Sequence, residues 1–180
     1  MAGRRDVYQT AMREGHALAW ALKWEAAIQK YRQALAEFPD DAAALISTGV
    51  ALMRLGRLRE ALTAYEAARG QRATDTAVVA RIAELRQQCG DLAGAAHAYA
   101  ELGELYQAQG ESSRAREAWE RLLVLEAGDV DALRRGRQGA LAAGFGSLVA
   151  QFDAALAPFR AEAPTAPAGA TDRPHSVGEQ

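Results

Sequence analysis

His16, His97 and His175, the lone Cys89, and the carboxylates scattered among them are the side chains in this chain best suited to chemistry. A protein metal site needs three or four such ligands close in space, and its short-range signature is a histidine pair at i, i+4 or a His-Glu-x-x-His run. The three histidines form neither, so no metal is expected. Cys89 has no second cysteine with which to form a disulfide or a thiolate cluster. Next to Gly90 at a helix end, it reads as a small apolar residue rather than a reactive thiol. No glycine-rich loop follows a strand, so no phosphate-cradling motif and no cofactor is expected. Asp40, Asp41, Asp75 and Asp129 stand at or just before helical runs, where a carboxylate caps free N–H groups and complements the helix dipole. The stretch RRGRQG (134–139) could touch phosphate, but within a chain of net charge -2 it does not amount to a nucleic-acid surface. These residues assemble no enzyme.

The composition points to helices that must pack closely. Hydrophobic residues make up 49% of 180 positions, but aromatics only 7%, because alanine carries much of the apolar share. Abundant Ala, Leu, Glu, Gln and Arg with few β-branched residues predicts an all-α protein. Arg4 and Arg5 are not followed by the apolar run of a secretory leader, and no segment approaches the ~20 apolar residues of a membrane span. A soluble, cytoplasmic protein is expected.

Apolar residues recur at spacings of three and four up to Phe159. Breaks fall at Leu22-Lys23, Pro39 to Asp41, Gly56, Gly70 to Asp75, Gly90, Gly110, Gly128-Asp129 and Gly144 to Ser147. Internal comparison then exposes a period. Gly15, Leu18, Ala27, Tyr31 and Ala34 recur 34 positions later as Gly49, Leu52, Ala61, Tyr65 and Ala68. Gly90, Ala95 and Tyr99 continue it, and Gly103, Tyr106, Gly110, Ala115 and Trp119 repeat the same order. Antiparallel helices approach at the short end of the ~8–10 Å range only where small residues meet at the crossing. Gly49 and Ala61 supply that gap, with Leu45, Leu52 and Tyr65 around it, and Ala64 is expected on a more exposed face.

This pattern resembles the tetratricopeptide repeat family, whose 34-residue helix–turn–helix unit carries Leu, Gly, Tyr, Ala, an aromatic, Ala and Pro at set positions. Residues 8–41 keep Gly15, Leu18, Ala27, Tyr31, Ala34 and Pro39, and residues 42–75 keep Leu45, Gly49, Leu52, Ala61, Tyr65 and Ala68 with Ala73 in place of Pro. The resemblance implies an α-solenoid of helical hairpins across 6–160. Its repeats fall at about 8–41, 42–75, 76–95 and 96–128, with a capping helical pair at 129–160. That last stretch reads as lacking the small-residue motif. Gly90 and Gly110 are too close for two helices each, so 91–109 is expected to be one helix serving two repeats. Residues 161–180, rich in proline and poor in large apolar side chains, are expected to be disordered.

The resemblance also implies a role: a non-enzymatic module that holds a peptide or helix of another protein in a concave groove lined by the first helix of each repeat. On those helices Met12, His16 and Trp20, and then Ile46, Val50 and Met53, form a second apolar stripe beside the one facing the hairpin partner. With Arg54 and Arg81 as polar neighbours they are the expected groove, suited to an amphipathic or hydrophobic segment. The family's carboxylate clamp is not kept: its positions carry Met12, His16, Ser47, Ala77 and Arg81, so only the arginine survives. The stripe could instead pack internally or mediate self-association in a structural subunit, and a nucleic-acid-binding role is the remaining alternative.

The tail reading yields a prediction. A chain truncated after Glu162 should unfold at the same denaturant midpoint as the full chain, within about 0.2 M, since the deleted residues have little apolar surface to contribute. A clear drop in midpoint would show that the tail docks.

Overall fold

A computed structural model describes residues 2–125 and 128–160. His175 and the whole 161–180 tail therefore lie outside the described residues. Within them, nine helices follow in order with no strand: α1 (Ala2–Trp20), α2 (Trp24–Glu37), α3 (Ala42–Arg54), α4 (Leu58–Arg69), α5 (Thr76–Gln88), α6 (Leu92–Ala108), α7 (Ser112–Val124), α8 (Val130–Ala142) and α9 (Gly146–Arg160). Helix packs on sequence-neighbouring helix from α1 to α7, as in an α-solenoid, and α8 with α9 closes the far end against α6 and α7.

One crossing recurs in hairpin after hairpin. A Cβ added at Gly15 would lie 2.5 Å from the Tyr31 ring, and one added at Gly49 would lie 2.7 Å from the Tyr65 ring. Trp119 abuts both Gly103 of α6 and Gly139 of α8, and a Cβ at Gly136 would come within 2.5 Å of the Phe152 ring. Apart from Gly139, the aromatic sits 16 positions after its glycine, and Ala83 and Tyr99 stand in the same relation, both buried. Helix backbone on one side and a flat ring on the other give dense contact with no room for a side chain between them. The expectation that 129–160 lacks the small-residue motif is thus wrong. Gly136 keeps the glycine–aromatic pair, and only the alanine position has changed, to the buried Leu148. Ala64 also departs from expectation: it is 8% exposed and belongs to the core, because α4 is covered on that flank as well.

α6 is continuous through Gly94 and Gly103 and packs against α5, α7 and α8. A helix with three neighbours has little solvent face to fill with charge. Ala95, Ala96, Ala98, Tyr99, Ala100, Leu102 and Gly103 are accordingly all buried. Their small size lets several neighbours approach at once. α5 divides the core: Val78, Ile82 and Leu85 face the α1–α4 cluster, while Val79 and Ala83 face the cluster built around α6.

Asp41, Asp75 and Asp129 cap α3, α5 and α8 as expected, and Asp91 caps α6 through the Gly94 N–H at 2.9 Å. Asp40 caps nothing. Two caps also tie neighbouring hairpins together. Tyr8 donates to Asp41 at 2.8 Å, and His97 Nε2 lies 2.9 Å from Asp129. Burial, helped by Asp41, pushes the Tyr8 phenol up to about 12, so it stays a proton donor throughout the neutral range.

Opposite responses to one type of substitution test the crossing. Gly49→Ala should destabilise the chain by about 1–3 kcal/mol, since the new methyl must displace a packed ring. Gly3→Ala, in open space on α1, should be neutral or stabilising by up to ~1 kcal/mol, the ordinary helix-propensity gain. Denaturant melts of both variants read the difference directly.

Candidate partner-binding groove

The turn after α1 is closed by the Lys23 N–H bonding the Leu18 carbonyl at 2.9 Å, the six-residue closure that commonly ends helices. The turn after α3 repeats it, from the Arg57 N–H to the Leu52 carbonyl at 2.9 Å. Such a closure needs one residue in the left-handed region. After α3 that residue is Gly56; after α1 it is Leu22, with φ at 58°. A branched side chain there costs about 1–2 kcal/mol relative to right-handed backbone. In exchange, Leu22 projects outward, 71% exposed.

Leu22 projects onto a groove. His16, Ala19, Trp20 and Leu22 form one wall, Ile46, Ser47 and Val50 of α3 the other, and Trp24 and Tyr31 of α2 lie between them. The cavity holds about 360 Å³, within the range of ligand pockets. Trp20 is 89% exposed and Val50 40% exposed, so two of its walls are apolar surface that the fold leaves open to solvent. Polar groups are few. His16 Nδ1 lies 3.0 Å from the Tyr31 hydroxyl, whose pKa burial raises. The Arg54 guanidinium sits over the Trp24 ring at 6.0 Å, outside the cavity.

The groove residues expected from sequence therefore divide. His16, Trp20, Ile46 and Val50 line one cavity. Met12 does not: it is 8% exposed within the N-terminal core, because the second stripe of α1 is covered along its middle and opens only toward its C-terminal turn. Met53 packs against the same core from outside the cavity. Arg81 lies away from it, beside Tyr65 and paired with Glu84 at 2.5 Å. Ala19, Leu22 and Trp24 escaped the sequence reading. Leu22 was findable, since it stands 34 positions before Gly56 where the repeat otherwise places glycine.

Farther along, the surface changes character. A cavity of about 210 Å³ between α5, α6 and α7 is lined by Glu84, Arg114, Glu117 and Arg121 together with Tyr99 and Tyr106. Its charges are paired: Arg121 with Glu117 at 3.1 Å and Glu84 at 3.8 Å within the cavity, and Arg114 with Glu111, outside the lining, at 2.7 Å. Among the described residues, no group of three or more His, Cys, Asp or Glu side chains is placed to hold a metal ion. No described helix is long and apolar enough to cross a membrane.

The Leu22 geometry predicts a trade-off. Leu22→Gly should keep or raise the melting temperature, the relief of left-handed strain offsetting the ~0.5–1 kcal/mol entropic cost of glycine. A fall of several degrees in a thermal melt would mean that Leu22 is held by packing rather than merely displayed.

Comparison with known proteins bears on the helical-repeat fold. The tetratricopeptide repeat family model matches residues 12–76. A crystal structure of MamA aligns over 90% of this chain and 99% of its own, at 19% identity and a TM-score of 0.51. A tetratricopeptide repeat protein from Parabacteroides merdae ATCC 43184 aligns over 87% of this chain and 68% of its own, at 17% identity and a TM-score of 0.51. Likeness at such identities is one of fold. No curated protein matches the chain significantly. The tetratricopeptide repeat family's sequence motif thus lies in the first two hairpins, and the glycine–aromatic crossing that accompanies it there is carried through to α9.

Proposed function

We propose that this protein is a non-catalytic interaction scaffold whose α1–α3 groove holds an amphipathic helix or hydrophobic peptide of a protein partner. The observation that carries this reading is the convergence of Trp20, Leu22 and Val50, all exposed, on one apolar cavity. Isolated exposed apolar residues are ordinary; several around one concavity mark an interaction surface. The Leu22 backbone adds weight, since a residue kept in an unfavourable conformation points to a use for its side chain. Trp20 would serve as the anchor, a flat and largely exposed ring on the cavity wall. His16 and Ser47 would orient the peptide backbone, and the wall formed by Ala19, Trp20 and Leu22 would accept successive apolar side chains spaced three or four apart.

Selection from a display library of helical peptides against the full chain tests this. Binders should carry apolar residues at i, i+3 or i+4, and i+7. Trp20→Ala combined with Val50→Glu should weaken them at least ~30-fold, the equivalent of about 2 kcal/mol, while circular dichroism and melting stay unchanged. Loss of folding in that variant would show that the stripe is internal packing. Concentration-dependent dimerisation that the same variant abolishes would assign the groove to a second copy of the chain instead.

A further inference from the structure

A second cavity lies at the opposite end of the solenoid, between α8 and the last turns of α9, and its chemistry is different. It holds about 530 Å³ and is lined by Val130, Arg134, Arg137, Leu156, Phe159 and Arg160. Among the described residues that line it, three are arginines and none is acidic. Arginine stays charged under all physiological conditions, so the cavity is permanently cationic. Among the described residues, two of the arginines share one counter-charge, Asp153: Arg137 Nε reaches it at 2.8 Å and Arg160 at 2.6 Å. The Arg137 guanidinium, with Arg160 in support, holds the Asp153 carboxyl below its ordinary range. Among the described residues Arg134 pairs with Asp131, at 3.6 Å, with both side chains largely exposed.

One carboxylate cannot satisfy two guanidinium groups. Each guanidinium carries five N–H donors in a fixed fork, and Asp153 engages two of those on Arg137 and one on Arg160. Among the described residues no other acid pairs with Arg137 or Arg160, and their remaining donors border the cavity. This is the preorganised fork geometry that suits an oxyanion. Leu156 and Phe159 beside the arginines supply an apolar surface that a bare inorganic ion would leave unused.

We propose that this cavity binds an acidic segment of a protein partner, taking a carboxylate or phosphate oxyanion on Arg134, Arg137 and Arg160 and an adjacent apolar side chain against Leu156 and Phe159. A peptide fits better than a nucleic acid, because the chain as a whole carries net charge -2 and offers no extended basic track. The site is spatially separate from the α1–α3 groove and does not depend on its reading. It gives the short RRGRQG run a specific use: Arg134 and Arg137 face the cavity, while Arg135 turns to α6 and pairs with Glu104 at 2.6 Å.

The full-length chain should be titrated with three capped dipeptides, followed by amide chemical shifts: acetyl-Phe-Asp-amide, acetyl-Phe-phosphoserine-amide and the neutral acetyl-Phe-Asn-amide. The charged probes should bind saturably and shift the amides of Val130, Arg134, Arg137 and Arg160; their relative affinity tells carboxylate from phosphate. The neutral probe should bind at least ~10-fold more weakly, as expected when charge-assisted hydrogen bonds are lost. Arg134→Gln with Arg160→Gln, both at exposed positions, should weaken binding by a similar factor without changing circular dichroism. Asp153→Asn should act in the opposite direction and tighten binding about threefold or more, because it removes the competing anion. A merely structural Asp153 would give no such gain. The proposal is overturned if the charged probes do not saturate, if Asp153→Asn weakens or does not alter binding in a chain that still melts normally, or if the shifts fall on Trp20 and Val50. Arginine-dependent binding of phosphatidylserine vesicles or of a single-stranded oligonucleotide, tighter than that of either peptide, would replace the peptide partner with that class.

Discussion

Close approach of a glycine backbone to an aromatic ring, sixteen positions later in the chain, is the contact on which the rest of this structure depends. It occurs at Gly15 with Tyr31, Gly49 with Tyr65, Gly103 with Trp119 and Gly136 with Phe152. The spacing follows from geometry: half of one helix, a short turn and half of the next return the chain to the same level. Each ring is fixed by the crossing, and its far edge then helps set the next surface. The Tyr31 hydroxyl reaches His16 in the apolar groove, and the Tyr99 hydroxyl donates to Gln87 at 3.2 Å in the polar section. One structural contact therefore orients rings that line these two cavities.

Regular stacking would carry that pattern along the chain indefinitely, and α6 is where it bends. Because α6 closes the α5 hairpin and opens the α7 hairpin, it must present small residues on two faces at once. Its run of alanines and glycines does so. The largest ring, Trp119, needs space on both of its sides and obtains it from Gly103 and Gly139 on different helices. Its indole N–H finds no acceptor among the described residues, so the site keeps shape complementarity over polar satisfaction. The consequence for function is a division of surface. The apolar groove lies on the regular α1–α3 side of this bend, the self-paired polar cavity lies at it, and the arginine cavity lies beyond it.

Charged residues mostly orient rather than stabilise. Lys30 with Glu14 at 2.6 Å, Arg69 with Glu101 at 2.8 Å, and Arg135 with Glu104 at 2.6 Å each join two different helices. Pairs this exposed contribute about 0–1 kcal/mol each, too little to hold the hairpins but enough to disfavour slipped registers. The Asp41 and Asp129 caps do more for their size. Each fixes a helix start and at the same time receives a side chain from an earlier helix, which links local structure to the stacking of hairpins.

The sequence by itself determined the helices, their ends and the hairpin phase. Glycine, proline and aspartate act through local backbone sterics and capping, and the 34-residue recurrence marks which small residues meet which rings. It also singled out His16, Trp20, Ile46 and Val50, because a second stripe beside the packing stripe is visible in helical spacing. Only the tertiary structure decided that Met12 belongs to the core while Trp20 stays in solvent, since that depends on how far along α1 the neighbouring helices extend. It alone showed that Leu22 adopts the left-handed conformation of Gly56, and that Arg134, Arg137 and Arg160 surround one cavity while Arg135 does not. Burial and convergence are properties of how helices are arranged around one another, and a periodic sequence specifies which face of a helix is apolar without specifying what, if anything, will cover it.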